Sequence, residues 1–430
     1  MPNRRDVLKR AGAAALGLMS LPRLTRAAGI RSIVRRDETL LKLGGVGDGF
    51  KMTWAADDLQ YTVVNDGSGW VEQPKAFFNA RLWTVEGAPE HAVFSDVRGY
   101  PELNNSARPD DAPQYFGHGV LAVRGQMFQF LSTLQPAGDR PRHWSGAKLI
   151  YSTDRGRSWR NQDGSSPVIW EDWHEQSRRR LTFKETNGCF SLLSILQMGR
   201  DYSANRDGYI YVYGLNGSDD GRMNELVMFR APLAGLLDRR NYEFVGGRTR
   251  NGDARWVKDI DARAVVLTFP RGWVNSTNLF PGDLVVESWL PSVVYNERLG
   301  VYMMSSAGIG CAADGTAFGK PSYLGFWIAS TPWGPWRQIH EDSAWKPAND
   351  PAARAYAPQI SPKWIAPDGK SCWLVWADLR GLPSFGDHRE AMDAAMEKAG
   401  SAEARSAVMA DFTRRYLPGY SFHTQRIDFT

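Results

Sequence analysis

The sequence predicts an all-β fold, specifically a five-bladed β-propeller with a helical insertion in its last blade. Three observations support this prediction: 17 Trp and 42 Gly residues, many short runs of β-branched and aromatic residues, and polar turns between those runs. In such repeat folds aromatic side chains pack between sheets and glycines form tight turns. We expect residues 29–430 to form this single domain. A β-sandwich with added loops is the competing fold.

The strand-like runs fall into about five units of four short strands. We place the units at residues 35–100, 101–180, 181–250, 251–345 and 346–430, each beginning with an inner strand. The runs themselves, in chain order, are 50–54, 59–64, 119–123, 127–131, 148–152, 167–170, 190–196, 208–213, 225–229, 242–245, 291–295, 301–304, 325–329, 359–360, 372–376 and 421–429. Inserted loops make this spacing wider than that of a compact propeller repeat.

One segment departs from the strand pattern. Residues 387–417 are rich in Ala, Glu and Arg, and their apolar residues recur at helical spacing. Gly400 and Ser401 are expected to separate two helices. We interpret the segment as an insertion that covers an edge or a rim of the last unit; a helical hairpin that binds a partner is the alternative.

Residues 1–28 predict a twin-arginine-type export signal. Arg4 and Arg5 precede a short apolar run at 11–22, and small residues follow it, which is the layout of a cleaved export signal. The run is far shorter than the ~20 residues needed to span a bilayer, so we expect no stable membrane anchor. The sequence therefore predicts a periplasmic or secreted protein that uses the twin-arginine export machinery.

Charge and cysteine content exclude several functional classes. The chain has 52 Lys+Arg and 47 Asp+Glu, and residues 1–27 contain six of the basic residues and one of the acidic ones, so the remainder has 46 of each. A neutral mature protein offers no bulk charge for nucleic acid. Cys189, Cys311 and Cys372 are far apart and have no metal-ligand spacing. We therefore expect no metal site, no cofactor and no necessary disulfide.

Residues 152–159 match the Asp-box pattern, Ser-x-Asp-x-Gly-x-Ser/Thr-Trp, at every defined position. The pattern predicts a hairpin turn in which Asp154 accepts backbone N–H bonds, Gly156 adopts a positive φ, and Trp159 packs beneath the turn. Because these are structural roles, the motif indicates the fold and gives Asp154 no catalytic role.

Longer segments suggest a family. They are 47–50 with the acids that follow Trp54, then 196–213, 291–302, and 323–336, which contains Ser-Thr-Pro-Trp-Gly-Pro-Trp. From about residue 44 to its end, the chain resembles a bacterial family of long-uncharacterised five-bladed β-propeller domains that includes endo-D-arabinanases. The resemblance implies a site on the central axis, on the face where inner strands begin, and a glycan substrate such as an arabinan.

Glycoside hydrolysis requires two carboxyl groups flanking one bond, a general acid and a nucleophile or base. Carboxylates at the starts of inner strands can converge on a propeller axis, so the candidate catalytic residues are Asp48, Asp201 and Glu287. Asp48 is the first choice, because its flanking glycines permit close ligand approach and it precedes the first inner strand. A turn-forming aspartate is the alternative interpretation of Asp48.

Five residues are candidates for substrate binding. Arg200 is expected to keep Asp201 ionised, with Tyr202 beside it, and Trp289 offers a platform for a sugar ring next to Glu287. The other two are His118, which binds a sugar hydroxyl or makes a structural hydrogen bond, and Asp57, a turn residue at a position where the family pattern has acids.

The leading hypothesis is an exported glycoside hydrolase that acts on a polysaccharide or glycoconjugate. A non-catalytic periplasmic propeller that binds carbohydrate or protein is the alternative, because neutral charge and many aromatic residues suit it equally. A sialidase-like enzyme is a minor alternative. It rests on Phe229-Arg-Ala-Pro, which resembles a sialidase motif but lies in the middle of the chain, and only one clear Asp-box is present.

Overall fold

The computed structural model describes residues 29–71, 77–103, 112–135, 143–218, 222–269, 291–314 and 316–430. The predicted export signal and two candidate site residues, Glu287 and Trp289, lie outside these ranges. Nearly all regular structure in the described residues is β, which confirms the predicted all-β class.

The strands form five groups along the chain. The first group contains β1 (Ile33–Arg35), β2 (Leu41–Asp48), β3 (Met52–Trp54), β4 (Gln60–Gly69), β5 (Phe78–Glu86) and β6 (Val93–Asp96). The second contains β7 (Tyr115–Val123), β8 (Gln126–Gln135), β9 (His143–Ser152) and β10 (Arg160–Asn161). The third contains β11 (Leu193–Ile195), β12 (Tyr209–Leu215), β13 (Glu225–Pro232), β14 (Glu243–Arg248), β15 (Ala254–Val257) and β16 (Leu267–Thr268). The fourth contains β17 (Ser292–Asn296), β18 (Val301–Gly308), β19 (Tyr323–Ala329) and β20 (Arg337–Asp342), and the fifth β21 (Ala355–Ile365), β22 (Ser371–Asp378) and β23 (Ser421–Phe429).

Pairing within each group is antiparallel, and successive strands of a group are neighbours in its sheet, apart from β1, β2 and β16. Strand β2 pairs with β4 on one side and with β23 on the other, so it joins the first and fifth groups into one nine-stranded sheet. Strand β1 pairs with β23 and completes the fifth group with residues from the other end of the chain. The two ends of the described chain are therefore fastened in one sheet.

One strand from each of the five groups contacts strands of two other groups, and these five strands together form a ring. Strand β3 contacts β7, β7 contacts β11, β11 contacts β17, β17 contacts β21, and β21 returns to β3. Each of these contacts joins two different groups. The ring therefore has two ends, and we call the end at which these five strands begin the upper end and the other the lower end.

The apolar core lies between neighbouring sheets. One buried cluster contains Val63 of β4 and Leu131 of β8. Another joins the second, third and fourth sheets through residues such as Phe130, Phe229 and Trp327. Two further clusters join the fourth sheet to the fifth and the fifth to the first. Burial of these faces holds each sheet against both of its neighbours.

The structure corrects one predicted unit boundary and one predicted strand. The boundary at residue 250 is wrong, because β15 and β16 pair with β14 and β13 and so belong to the third sheet. The run at 167–170 is not a strand; Asn161 instead holds this segment by donating a hydrogen bond to Pro167 O (2.9 Å). The turn at 152–159 has the predicted contacts: Asp154 Oδ1 accepts from Ser158 N (2.9 Å), and Trp159 is buried.

Three α-helices lie between β22 and β23; the first precedes the segment 387–417 where the sequence predicts helices, and the other two lie within it. They are α1 (Leu382–Phe385), α2 (Arg389–Lys398) and α3 (Ala402–Tyr416). Ser401 caps α3 by accepting a hydrogen bond from Ala404 N (3.1 Å). In the described part of the chain, no helix combines the length and apolar character needed to cross a membrane.

Candidate active site

Asp48 lies at the upper end of the ring, where the first and last sheets meet. It is the last residue of β2 and is paired with Asn65 of β4. Asn65 in turn donates to Gly117 O (3.1 Å) and accepts from Gly117 N (2.9 Å), near the start of β7. These bonds fix Asp48 beside the beginning of the second sheet, close to the axis of the ring.

A glycine allows the close approach of β2 to β4. A Cβ atom on Gly67 would lie 2.0 Å from Val46 O, far inside any contact distance. The Gly-rich context of both strands therefore serves backbone packing as well as access to Asp48, whose side chain remains partly exposed.

The carboxyl of Asp48 is held by a tyrosine from the other end of the chain. Tyr420, which follows α3, donates its hydroxyl to Asp48 Oδ2 (2.8 Å). Burial and the nearby charge of Asp66 raise the pKa of Asp48 to about 8, while Tyr420 and Lys51 act in the opposite direction. Asp48 is therefore protonated near neutral pH and can donate a proton.

Asp66, next to Asn65 on β4, is the second carboxylate of the site. It is partly exposed and has φ +45°, a backbone conformation that non-glycine residues rarely adopt. Its charge raises the pKa of Asp48, Tyr356 and Tyr420. Asp48 and Asp66 are thus two carboxyl groups that interact electrostatically, and both residues are partly exposed.

Lys51 and His118 lie beneath this pair, and both are buried. Burial lowers the pKa of Lys51 well below its usual value, although the charge of Asp48 opposes the shift. The pKa of His118 is also lowered well below its usual value, by burial first and by the charge of Lys51 second. His118 Nδ1 lies 2.9 Å from Ser132 Oγ, and its ring packs edge-on against Trp144. His118 is therefore a neutral imidazole in a structural hydrogen bond at the upper end.

Asp201 and Arg200 lie at the lower end instead. The N–H of Gly125, just beyond the end of β7, is shared between both carboxylate oxygens of Asp201 (3.0 and 3.1 Å), and Arg200 donates to Ala56 O. Val123 lies six steps along the extended strand from Gly117, which corresponds to about 20 Å. Asp48 and Asp201 cannot flank one glycosidic bond over that distance, so the structure does not bring the predicted pair together.

Two other predicted substrate-binding residues, Asp57 and Tyr202, make structural contacts within the protein. Asp57 accepts from Leu59 N (3.2 Å) and from Tyr61 Oη (3.0 Å), which makes it a turn residue at the lower end. Tyr202 belongs to the main buried cluster, is 3 % exposed and accepts from Tyr211 N (3.4 Å). It is too deeply buried to contact a sugar.

Arg230, in the segment that resembles a sialidase motif, is also engaged in packing. It pairs with Glu243 (2.8 Å) and stacks on Tyr209 and Trp256. This placement gives the sialidase hypothesis no support.

Among the described residues, no group of three His, Cys, Asp or Glu side chains is placed to hold a metal ion. The three cysteines are free and buried.

Sequence analysis missed Asp66, Lys51, Tyr356 and Tyr420. A lysine two residues after Gly-Asp-Gly, at the start of an apolar strand, is an unusual residue to bury, and it was the clearest available signal. Asp66 follows the apolar run 59–64 and looked like the end of a strand, whereas β4 continues to Gly69. No local pattern marks Tyr356 or Tyr420, because both reach the site only through the closure of the ring.

No family model matches the sequence, and no curated protein matches it. A provisionally assigned hydrolase from Bacteroides ovatus is 12% identical, with 90% of this chain and 87% of that chain covered and a TM-score of 0.45. A thermostable family-43 glycoside hydrolase is 12% identical, with 78% and 84% covered and a TM-score of 0.43. An endo-arabinase from Bacteroides thetaiotaomicron is 10% identical, with 80% and 91% covered and a TM-score of 0.40. Likenesses this distant establish neither a family nor an activity, so function is argued from the site.

Proposed function

We propose that this protein is a glycoside hydrolase built on a five-bladed β-propeller, with Asp48 as general acid and Asp66 as nucleophile or base. The ring of contacts among β3, β7, β11, β17 and β21 supports the propeller over the β-sandwich, because a sandwich has two facing sheets and no such ring. The observation that carries the activity is the exposed pair of carboxyl groups at the upper end.

The environments of the two carboxyl groups suit different roles. A glycosidic oxygen needs a proton as it leaves, and Asp48, with a pKa of about 8, still holds one at neutral pH. A nucleophile or base must be ionised, and Asp66 supplies the negative charge that raises the pKa of Asp48. Glycosidases use one protonated and one ionised carboxyl group on opposite sides of the scissile bond.

Tyr420 is a positioning residue in this proposal. Its hydroxyl fixes one oxygen of Asp48 and leaves the other oxygen to carry the proton. Lys51 and His118 are buried titratable groups beneath the two carboxyl groups, and burial lowers the pKa of both. Glu287 and Trp289 lie outside the described residues, so their roles as a catalytic carboxyl group and a sugar platform stay predictions.

We further propose a polysaccharide or glycoconjugate substrate, such as an arabinan, and a periplasmic or secreted location reached through the twin-arginine export machinery. The substrate rests on the sequence resemblance, and the location rests on Arg4, Arg5 and the short apolar run that follows them.

The test is a reducing-sugar assay of the protein from about residue 28 against a panel of polysaccharides that includes arabinans. We expect product with at least one polymer, and a loss of 10³-fold or about that order for Asp48→Asn and Asp66→Asn. Asp201→Asn, which changes a carboxylate at the lower end, is the matched control and should keep its activity. Equal activity in all three variants would contradict the assignment, and glycan binding without product would favour the non-catalytic binding protein.

A further inference from the structure

The helical segment between β22 and β23 begins and ends at two glycines that lie close together. Gly381, before α1, has φ +87°, and a Cβ atom on it would lie 2.5 Å from Tyr416 O. A Cβ atom on Gly419 would lie 3.0 Å from Asp378 O, at the end of β22. Both ends of residues 381–419, which we call the flap, are therefore side by side at the residue type with the widest choice of backbone conformations.

The flap packs mainly on itself. Each of its helices contacts another helical element of the flap more extensively than it contacts any described strand, and the rings of His388 and Tyr416 stack within it with 3.7 Å between their centroids. Next to the flap, by contrast, Arg380 is fixed by ion pairs with Asp350 (2.9 Å) and Asp378. A unit with its own packing, joined to a firm base by a few residues, is the arrangement of a hinged element.

The flap meets the rest of the protein at the upper end of the ring. Leu382 and Phe385 of α1 pack against a buried apolar cluster. Its members include Phe116 of β7, Leu192, which precedes β11, and Ile309, which follows β18. The flap therefore rests on an apolar layer that the second, third and fourth groups share, at the end where the two carboxyl groups lie.

Two contacts connect the flap with the strands that carry those carboxyl groups. Tyr420, the residue after the flap, belongs to the same apolar cluster and donates to Asp48 (2.8 Å). Arg414 of α3 donates to Val71 O (3.2 Å), just after β4, the strand on which Asp66 lies. Because β2 lies between β23 and β4 in the sheet, the flap bridges the strand that carries Asp48.

We propose that the flap is a lid over the Asp48–Asp66 site, closed in this structure, which turns about Gly381 and Gly419 to admit a glycan chain. The proposal rests on the proposed hydrolase function and concerns the regulation of that site. Both carboxyl residues are partly exposed with the flap in place, which suffices for water. A glycosidic bond must lie between the two carboxyl groups, and the chain that contains the bond needs space on both sides of it.

A native thiol can report opening of the flap without any substrate. Cys311 is buried in the apolar cluster against which α1 packs, whereas Cys189 and Cys372 are buried in two other clusters. Modification of a buried group in a folded protein requires a local opening. Iodoacetamide should therefore modify Cys311 faster than the other two cysteines, and peptide mass spectrometry measures the three rates.

A reversible link tests whether the flap causes that opening. Val71→Cys with Arg414→Cys places thiols at two exposed positions where the flap meets the end of β4. A short bis-methanethiosulfonate reagent joins the thiols, and dithiothreitol, which is then removed, releases them. Linking should slow the modification of Cys311 by about tenfold or more, because the rate follows the population of the open form. It should also stop hydrolysis of the polymer identified by the panel, and release should restore both rates.

The matched control takes the same reagent within one helix. Asp411→Cys with Arg415→Cys replaces an exposed pair of α3 whose charged atoms are 3.0 Å apart. A link at this pair does not join the flap to the rest of the protein, so it should leave both rates unchanged. Melting temperatures establish that each variant is folded before and after linking.

Three results would overturn the proposal: modification of Cys311 no faster than that of Cys189 and Cys372, modification that the Val71–Arg414 link leaves unchanged, or full hydrolysis by the linked protein. Failure of the hydrolase proposal is distinguishable from these results. If the unlinked protein hydrolyses no polymer, the proposed activity fails, and the rates at Cys311 still decide whether the flap opens.

Discussion

The protonation state of Asp48 can be tested through stability, without knowledge of the substrate. Asp48→Asn replaces the carboxyl by a neutral amide of the same shape. Burial and the charge of Asp66 raise the pKa of Asp48 from 3.8 to about 8 in the folded protein. Between these values the folded state holds a proton that the unfolded state has lost, so the contribution of Asp48 to stability is complete below pH 3.8 and declines as pH rises toward 8.

The magnitude follows from the same shift. Each pH unit in the window removes about 1.4 kcal/mol of unfolding free energy, so the full window corresponds to ~6 kcal/mol. Since the side chain of Asp48 is partly exposed, solvent screening reduces this value, and we expect roughly 2–3 kcal/mol. The Asn variant has no proton to lose at this position and should therefore gain that amount over the wild type between pH 5 and pH 9.

Urea denaturation at pH 5, 7 and 9 measures the difference. Lys51, whose pKa is lowered, changes stability in the opposite direction as pH rises, so the wild-type curve alone is not diagnostic and the comparison must be between variants. Asp201→Asn should run parallel to the wild type. A parallel curve for Asp48→Asn as well would mean that Asp48 ionises normally, and the assignment of Asp48 as general acid would fail.

Three other changes have expected results. Tyr420→Phe removes the hydrogen bond that lowers the pKa of Asp48, so the alkaline limb of the kcat/KM profile on the polymer identified by the panel should move to higher pH; a fall in rate with an unmoved limb would contradict the positioning role. Gly67→Ala places a Cβ atom 2.0 Å from Val46 O and should lower the unfolding free energy by about 3 kcal/mol or more, measured by urea denaturation; a loss below about 0.5 kcal/mol would show that β2 and β4 are not so closely packed. Lys148→Met leaves Glu171, its buried partner at 2.7 Å, without a counter-charge and should lower the unfolding free energy by about 3–5 kcal/mol, whereas Arg240→Met, at an exposed pair, should change little.

The sequence was informative where a single strand defines an environment. Asp48 could be singled out as a candidate because its glycines and the following strand are contiguous, and the helices at 387–417 were predicted because their periodicity is local. Asp201 was misplaced for a definable reason. The inner strand of the third sheet is β11, which ends at Ile195, so Asp201 follows that strand and lies at the lower end, whereas an acid before the strand would lie at the upper end.

The same rule explains the other outcomes. Asp57 follows β3 and lies at the lower end, whereas Asp48 and Lys51 precede it and lie at the upper end. His118 lies near the start of β7, as the prediction required. Asp66 lies on β4, which is antiparallel to β3 and therefore brings Asp66 back to the upper end. To assign a polar residue to the upper or lower end, one must know the bounds of the inner strand and the direction of the strand beside it. The periodicity of such short strands did not determine these bounds or directions.

Closure of the ring and assembly of the carboxyl pair are one structural event. Strand β2 pairs with β23 and β4 at once, and Asp48 is its last residue. The hydroxyl that holds Asp48 comes from Tyr420, 372 residues away in sequence, while Asp66 lies on the other neighbour of β2. A chain in which β2 left either neighbour would separate Asp48 from Tyr420 or from Asp66, and would thereby change its protonation. The pKa of Asp48 is therefore a local reporter of closure, and a variant such as Gly67→Ala that loosens β2 should shift the pH profile before the protein unfolds.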